Sequence, residues 1–148
     1  SAQGVYAAEH MNGHTCPLDL SLVPSCVYTD PEIACVGLTA DEAKAAGREV
    51  VTGKYVMTGN GKSIIELEKR GFIKLVFDKD SLALLGAQLM CARATDMIGE
   101  FTTAIANGLT AAQLAASIRA HPTFGEGIGE AVEEVVNGCA IHTMPKRR

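Results

Sequence analysis

No two cysteines in this chain are spaced C-x-x-C or C-x-x-x-x-C. The five present, Cys16, Cys26, Cys35, Cys91 and Cys139, are an odd number scattered along 148 residues. That usage argues against a disulfide-stapled secreted module and against a zinc ribbon, which both need cysteines paired at short range. Cys26, Cys35 and Cys91 fall in apolar, strand-like runs, where a free thiol behaves as a small buried hydrophobe. A reducing, intracellular and cytoplasmic setting is expected. A basic field is missing too. The net charge is −4, so neither nucleic acid nor an anionic membrane is expected as a partner, and the terminal Lys146-Arg147-Arg148 is too short to alter that. Long apolar runs are also wanting. The longest, Leu82 to Ala92, is interrupted by Gly86 and Gln88 and falls far short of the ~20 residues a membrane-spanning helix needs. No secretory signal pattern opens the chain. His10, His14 and His142 lie in terminal or connector segments without metal-ligand spacing, so they read as surface histidines and no metal is expected.

Two glycine motifs are present only in part. Gly61-Lys62-Ser63 looks like the end of a phosphate-binding P-loop, but the motif needs glycine at position 56, which is Val56. Gly125, Gly127 and Gly129 suggest a dinucleotide fingerprint, yet G-x-G-x-x-G would require glycine at 130 or 132, and these are Glu130 and Val132. A loop or turn is expected around Gly61. The later glycines are expected to let another backbone approach closely, as at an interface.

What is present is the make-up of one globular domain, with 47% apolar and 20% charged residues. A chain of this length buries about 70% of its extended surface. Ser1 to Met11 reads as a short alanine-rich helix broken at Asn12-Gly13, followed by a connector punctuated by Pro17 and Pro24. Short strands are expected at 26–29 and 32–37 around an Asp30-Pro31 turn. A helix follows over Thr39 to Ala46, with Thr39 and Glu42 as a capping box and Gly47 as its stop. Strands are expected from Glu49 to Met57, Phe72 to Phe77 and Leu82 to Ala92, the last two joined by a hairpin turn at Asp78 to Ser81. A helical turn is expected over Lys62 to Leu67. Helices are predicted from Ala94 to Asn107, after the Thr110–Gln113 box, and from Gly127 to Val136. Helices are segregated from strands in this order, so the fold class is α+β, with helices packed on an antiparallel sheet.

The stretch on which function turns is Arg119-Ala120-His121-Pro122-Thr123-Phe124-Gly125-Glu126. Pro122 fixes its own φ and pushes His121 out of the helical region, so the histidine sits on a turn. Thr123 is a good N-cap and Glu126 stands at the capping-box position three residues on. One reading is a capped helix beside a solvent-facing histidine. The other is a His121–Glu126 pair in which the carboxylate orients and charges the imidazole for proton transfer near neutral pH.

His-Pro-Thr-x-x-Glu resembles the C-terminal signature of the flavin-dependent pyridine nucleotide–disulfide oxidoreductases, most similar to that of the dihydrolipoyl dehydrogenases. A second block, Tyr28-Thr-Asp-Pro-Glu-Ile-Ala-Cys-Val-Gly37, resembles the strand that opens the same family's interface domain. Two blocks in the right order carry the match over about Ser1 to Val136. The resemblance implies the family's C-terminal dimerisation domain. Residues 1–24 would then be the end of a flavin-binding domain with its connector, 25–138 the interface domain, and 139–148 a tail. It implies a homodimer in which this domain completes the active site held by the partner subunit's flavin-binding domain, where a lipoyl or other dithiol substrate is oxidised through FAD to NAD. Carried over by motif, His121 is the acid/base and Glu126 its orienting partner. The main chain of His121 and Pro122 lies against the flavin, and the His121–Pro122 peptide bond is cis. The chain has neither the redox cysteine pair nor a nucleotide-binding loop, so no FAD or NAD is expected on this chain alone, which should be inactive by itself. Two alternatives stay open: a stand-alone dimer-forming module without redox activity, and the same domain of a glutathione- or mercuric-reductase-like relative. The first of those relatives usually has a second Ser and paired acidic residues where Phe124-Gly125 stand. The second ends in paired cysteines where only Cys139 is present.

Overall fold

Alternation of apolar residues with polar ones makes the sheet. In the computed structural model, which describes residues 1–68 and 70–142, strands β1 (Ser25–Val27), β2 (Ile33–Gly37), β3 (Val50–Val56), β4 (Phe72–Asp78) and β5 (Leu84–Met90) form one sheet in the order β1-β2-β5-β4-β3. Every neighbouring pair is antiparallel. Ile73, Leu75 and Phe77 of β4 are fully buried at period two, as a half-covered sheet requires. The helices are α1 (Ala2–Met11), α2 (Ala40–Ala45), α3 (Gly61–Ile65), α4 (Ala94–Ala106), α5 (Ala111–Ala115) and α6 (Glu126–Val136), with a 3₁₀ turn at Met57–Gly59 before α3. α4 packs on β2 and β5, and α6 on β3 and β4. The core joins Phe77, Leu84 and Leu89 of the sheet to Ile98 and Phe101 of α4 and to Ile128 and Val132 of α6. The α+β expectation holds.

Local chemistry fixes the ends. Two of the three expected capping boxes form in full: Thr39 with Glu42 at the start of α2, and Thr110 with Gln113 at the start of α5. Glu32, from the Thr-Asp-Pro-Glu block, closes another helix end. Its carboxylate accepts from the backbone N–H and the hydroxyl of Thr95 at 2.9 and 2.7 Å, tying the start of β2 to the first turn of α4. The last strand is shorter than its sequence suggests. Leu82 takes a left-handed φ of 56°, and Ala83 pairs with Thr110 outside the sheet, so the hairpin turn takes both residues before β5 begins.

Within the chain, the glycines of α6 meet side chains. Nearest to Gly127 is the Met57 side chain, and nearest to Gly129 is that of Arg119, so both pack within the chain and against side chains. Between helix and sheet, a close approach of two backbones occurs at Gly53 of β3, where a Cβ would stand 2.0 Å from the Ala131 carbonyl oxygen of α6. That missing Cβ lets α6 lie directly on the sheet edge. The basic tail Lys146–Arg148 lies outside the described residues.

Candidate functional site

The turn that holds His121 is anchored on both sides. Before it, the Arg119 guanidinium donates to the Leu114 and Ser117 carbonyls at 3.3 and 3.1 Å and pairs with Glu100 of α4 at 2.7 Å. After it, the buried Asn60 amide donates to the Thr123 carbonyl at 3.0 Å. The other end of the same amide, Oδ1, accepts from the backbone N–H and hydroxyl of Ser63 at 2.9 and 3.0 Å and so caps α3. Gly61-Lys62-Ser63, expected as a loop or turn, is thus the first turn of a capped helix. The His121–Pro122 bond is cis, in agreement with the resemblance, and Asp30–Pro31 is cis as well.

Only half of the expected capping box forms at α6. Glu126 accepts from the Thr123 backbone N–H at 2.8 Å, but the Thr123 hydroxyl is engaged with the Ala120 carbonyl at 2.7 Å. Gly125 therefore stands at the N-cap position, and the helix starts at Glu126. With one oxygen of Glu126 on the Thr123 amide, the other is free for His121: Nδ1 lies 2.9 Å from Oε1. The His121 side chain is 78% exposed and that of Glu126 30%. Partial burial pushes the Glu126 carboxyl up. The Thr123 N–H, the His121 hydrogen bond and the charges of His121 and His142 outweigh it and hold the group below the usual carboxylate range. A carboxylate on Nδ1 leaves Nε2, on this exposed ring, outside that contact.

A surface cavity of about 150 Å³ opens beside this pair, lined among others by Tyr55, Asn60, His121, Glu126, Glu130 and His142. Of these, sequence reasoning singled out His121 and Glu126 alone. His142, read from the sequence as a surface histidine of the tail, meets Glu130 through Nδ1 at 2.6 Å. The signal was on α6 itself: Glu130 sits among buried Ile128, Ala131 and Val132, and a carboxylate on a buried helix face needs partners. Tyr55, nearly buried, donates to the His142 carbonyl at 2.8 Å. Burial, with the Glu130 and Glu126 charges, pushes its phenol up to about 12, so it stays neutral. The cysteines offer no nucleophile at the cavity. Cys91 is fully buried, and burial followed by the Glu32 charge pushes its thiol up to about 12. Among the described residues no group of three or more His, Cys, Asp or Glu side chains is arranged to hold a metal, and no helix is long and apolar enough to cross a membrane.

Residues 23–132 match the family model of the pyridine nucleotide-disulphide oxidoreductase dimerisation domain. The chain belongs to this family. Similar curated proteins are dihydrolipoyl dehydrogenases. That of Bacillus subtilis is 43% identical over 143 residues, covering 96% of this chain and 30% of the relative. That of Geobacillus stearothermophilus is 40% identical over 146 residues, covering 99% and 31%. That of the archaeon Haloferax volcanii is 38% identical over 144 residues, covering 97% and 30%. The chain thus spans under a third of the length of these relatives. Among solved structures, LpdA of Mycobacterium tuberculosis superposes with a TM-score of 0.81 at 25% identity, over 90% of this chain and 29% of that one. An NAD-dependent persulfide reductase of A. fulgidus, at 21% identity and a TM-score of 0.75 over 92% of this chain and 26% of that one, shares the fold. This dimerisation domain is therefore of the dihydrolipoyl dehydrogenase-like kind, with the cavity and its histidines on its own surface.

Proposed function

We propose that this dimerisation domain serves a dihydrolipoyl dehydrogenase-like oxidoreductase by supplying His121, in trans, as the acid/base of thiol–disulfide exchange. The observation that carries this reading is the His121–Glu126 contact at 2.9 Å on an imidazole whose remaining nitrogen is exposed. Only the thiolate attacks a disulfide, and an alkyl dithiol is mostly protonated at neutral pH. Nε2 of His121 takes the thiol proton as the sulfur attacks, and returns it when a thiol leaves. Glu126, on Nδ1, fixes the tautomer and stabilises the imidazolium in between. The dithiol is a lipoyl group or a close relative, and the protein works as a homodimer whose flavin-binding domain faces the partner's His121.

FAD and NAD, when bound to the whole enzyme, supply the redox chemistry that carries the electrons away. The chain's own residues fit a bordering role toward the flavin. His121 and Pro122 are exposed, so their main chain is open to a flat ring from outside, while the cavity beside them, about 150 Å³, is well below the 300–1,000 Å³ typical of a site that encloses such a ligand. α1 buries none of its residues. That fits residues 1–24 as the edge of a flavin-binding domain, with 25–138 as the interface domain and 139–148 as a tail. The test is a chimera in which this chain replaces the matching part of the Bacillus subtilis enzyme. We expect His121→Gln to leave flavin content and dimerisation unchanged and to lower dithiol oxidation ~10²–10⁴-fold at neutral pH. An undiminished rate would remove His121 from the chemistry.

A further inference from the structure

Of the four carboxylates of α6, Glu133 and Glu134 meet the Asn137 amide and the Lys54 N–H, and Glu126 and Glu130 lie four residues apart and so on one face. Like charges at this spacing oppose each other. Each instead meets a histidine reaching it from a different end of the helix. His121 lies five residues before Glu126, and His142 twelve residues after Glu130.

The second meeting is built by several elements at once. Glu130 is 8% exposed. Its Oε2 accepts from the backbone N–H groups of Ile141 and His142 at 2.6 and 2.9 Å, while Oε1 takes the His142 ring nitrogen at 2.6 Å. From β3 the Tyr55 hydroxyl donates to the His142 carbonyl at 2.8 Å. Gly59 of the 3₁₀ turn completes the seat, since a Cβ there would lie 2.5 Å from that carbonyl oxygen. The main chain of His142 is thus held by three elements, while its side chain stays 73% exposed at the cavity rim.

We propose that His142 is a positioning residue of the site: its ring holds Oε1 of Glu130, so that the carboxylate one turn from Glu126 is engaged and Glu126 is left to His121. The proposal rests on the acid/base reading of the His121–Glu126 pair. The other groups facing this corner do not compete. Tyr55 is the titratable group from β3 and stays neutral, and Gly59, Asn60 and Gly61, from the 3₁₀ turn and α3, carry no charge. The charges acting on Glu126 are those of His121 and His142, with Glu130 one turn on, while the Arg119 guanidinium against Gly129 is paired with Glu100. A tail that only needed fastening could be held by its two N–H groups and its carbonyl; the ring adds a contact with the other oxygen of Glu130.

The test is a carbon-13 titration of the Glu126 side-chain carboxyl in the 148-residue chain. His142→Ala leaves Glu130 uncompensated and raises the Glu126 midpoint by about 0.3–0.5 pH unit, the scale of one charge a helical turn away in water. Glu130→Gln removes the opposing carboxylate and lowers the midpoint by a similar amount. His142→Gln, which can keep a hydrogen-bond donor but not the charge, matches His142→Ala. Tyr55→Phe frees the carbonyl without changing any charge and leaves the midpoint in place. Opposite signs for the His142 and Glu130 variants establish the role. Shifts of the same sign, no shift, or an equal shift in Tyr55→Phe overturn it and reduce His142 to a tail anchor. The chimera keeps the two readings apart: an active His121→Gln enzyme would sink the acid/base role without touching these midpoints.

Discussion

The two His–Glu pairs of α6 use the same residue types at nearly the same distance, 2.9 Å for His121–Glu126 and 2.6 Å for His142–Glu130. They differ in what else the carboxylate holds. Glu126 has one further donor, the Thr123 N–H, and its side chain is 30% exposed. Glu130 has two further backbone donors, and its side chain is 10% exposed. A carboxylate with a spare oxygen for one imidazole can support a proton moving on and off that ring. Glu130 also keeps one oxygen for an imidazole, but its other oxygen takes two consecutive backbone N–H groups and so fixes a chain segment as well. The two pairs thus differ in the number of neighbouring N–H groups, not in the identity of their residues.

The comparison can be broken most completely at Gly53. Gly53→Ala sets a methyl 2.0 Å from the Ala131 carbonyl oxygen, which pushes α6 off β3 and disturbs both pairs together. We expect a loss of about 3 kcal/mol in urea unfolding, the upper part of the overpacking range. Next in size is the contrast in rate. Glu126→Gln in the chimera should lower dithiol oxidation about 100-fold, or ~2.7 kcal/mol, whereas Glu130→Gln should cost less than ~10-fold. Equal losses in steady-state assays would erase the distinction between the pairs. The stability contrast runs the other way. Glu130→Ala strands the Ile141 and His142 N–H groups and should cost about 1–3 kcal/mol, more than Glu126→Ala does in the same denaturation series. The smallest effect is on pH dependence. Folding holds the Glu126 carboxyl below its usual range, so its contribution is fully present above the usual carboxylate value and is lost as pH falls through the folded value. Stability measured below about pH 4.5 should decline less steeply in Glu126→Gln than in the parent chain.

Most of the architecture was legible from local signals. Strand alternation, the two Thr capping boxes and the position of His121 beside a proline each depend on residues within a few positions of one another. The features that escaped depend on distant parts of the chain. Glu130 and His142 are brought together only because the chain turns back after α6 at Gly138, with φ +77°, and runs past Tyr55 of β3. Thr123 has the right identity and spacing for an N-cap, but the Ala120 carbonyl engages its hydroxyl first. Leu82 reads as a strand residue and is drawn into the turn, with Ala83 beside it pairing to Thr110. In each case a tertiary partner outweighed a sound local preference.

Asn60 has a consequence for how this domain can evolve. Its carbonyl oxygen caps one helix and its amino group grips the turn that carries His121. Aspartate would keep the acceptor and put a negative charge against the Thr123 carbonyl. Glutamine would add a methylene in a buried place. Serine or threonine would cap α3 and leave the turn unheld. A drifting lineage therefore has few single steps away from asparagine here that keep both functions, although the residue lies outside the His-Pro-Thr signature and touches no reacting atom.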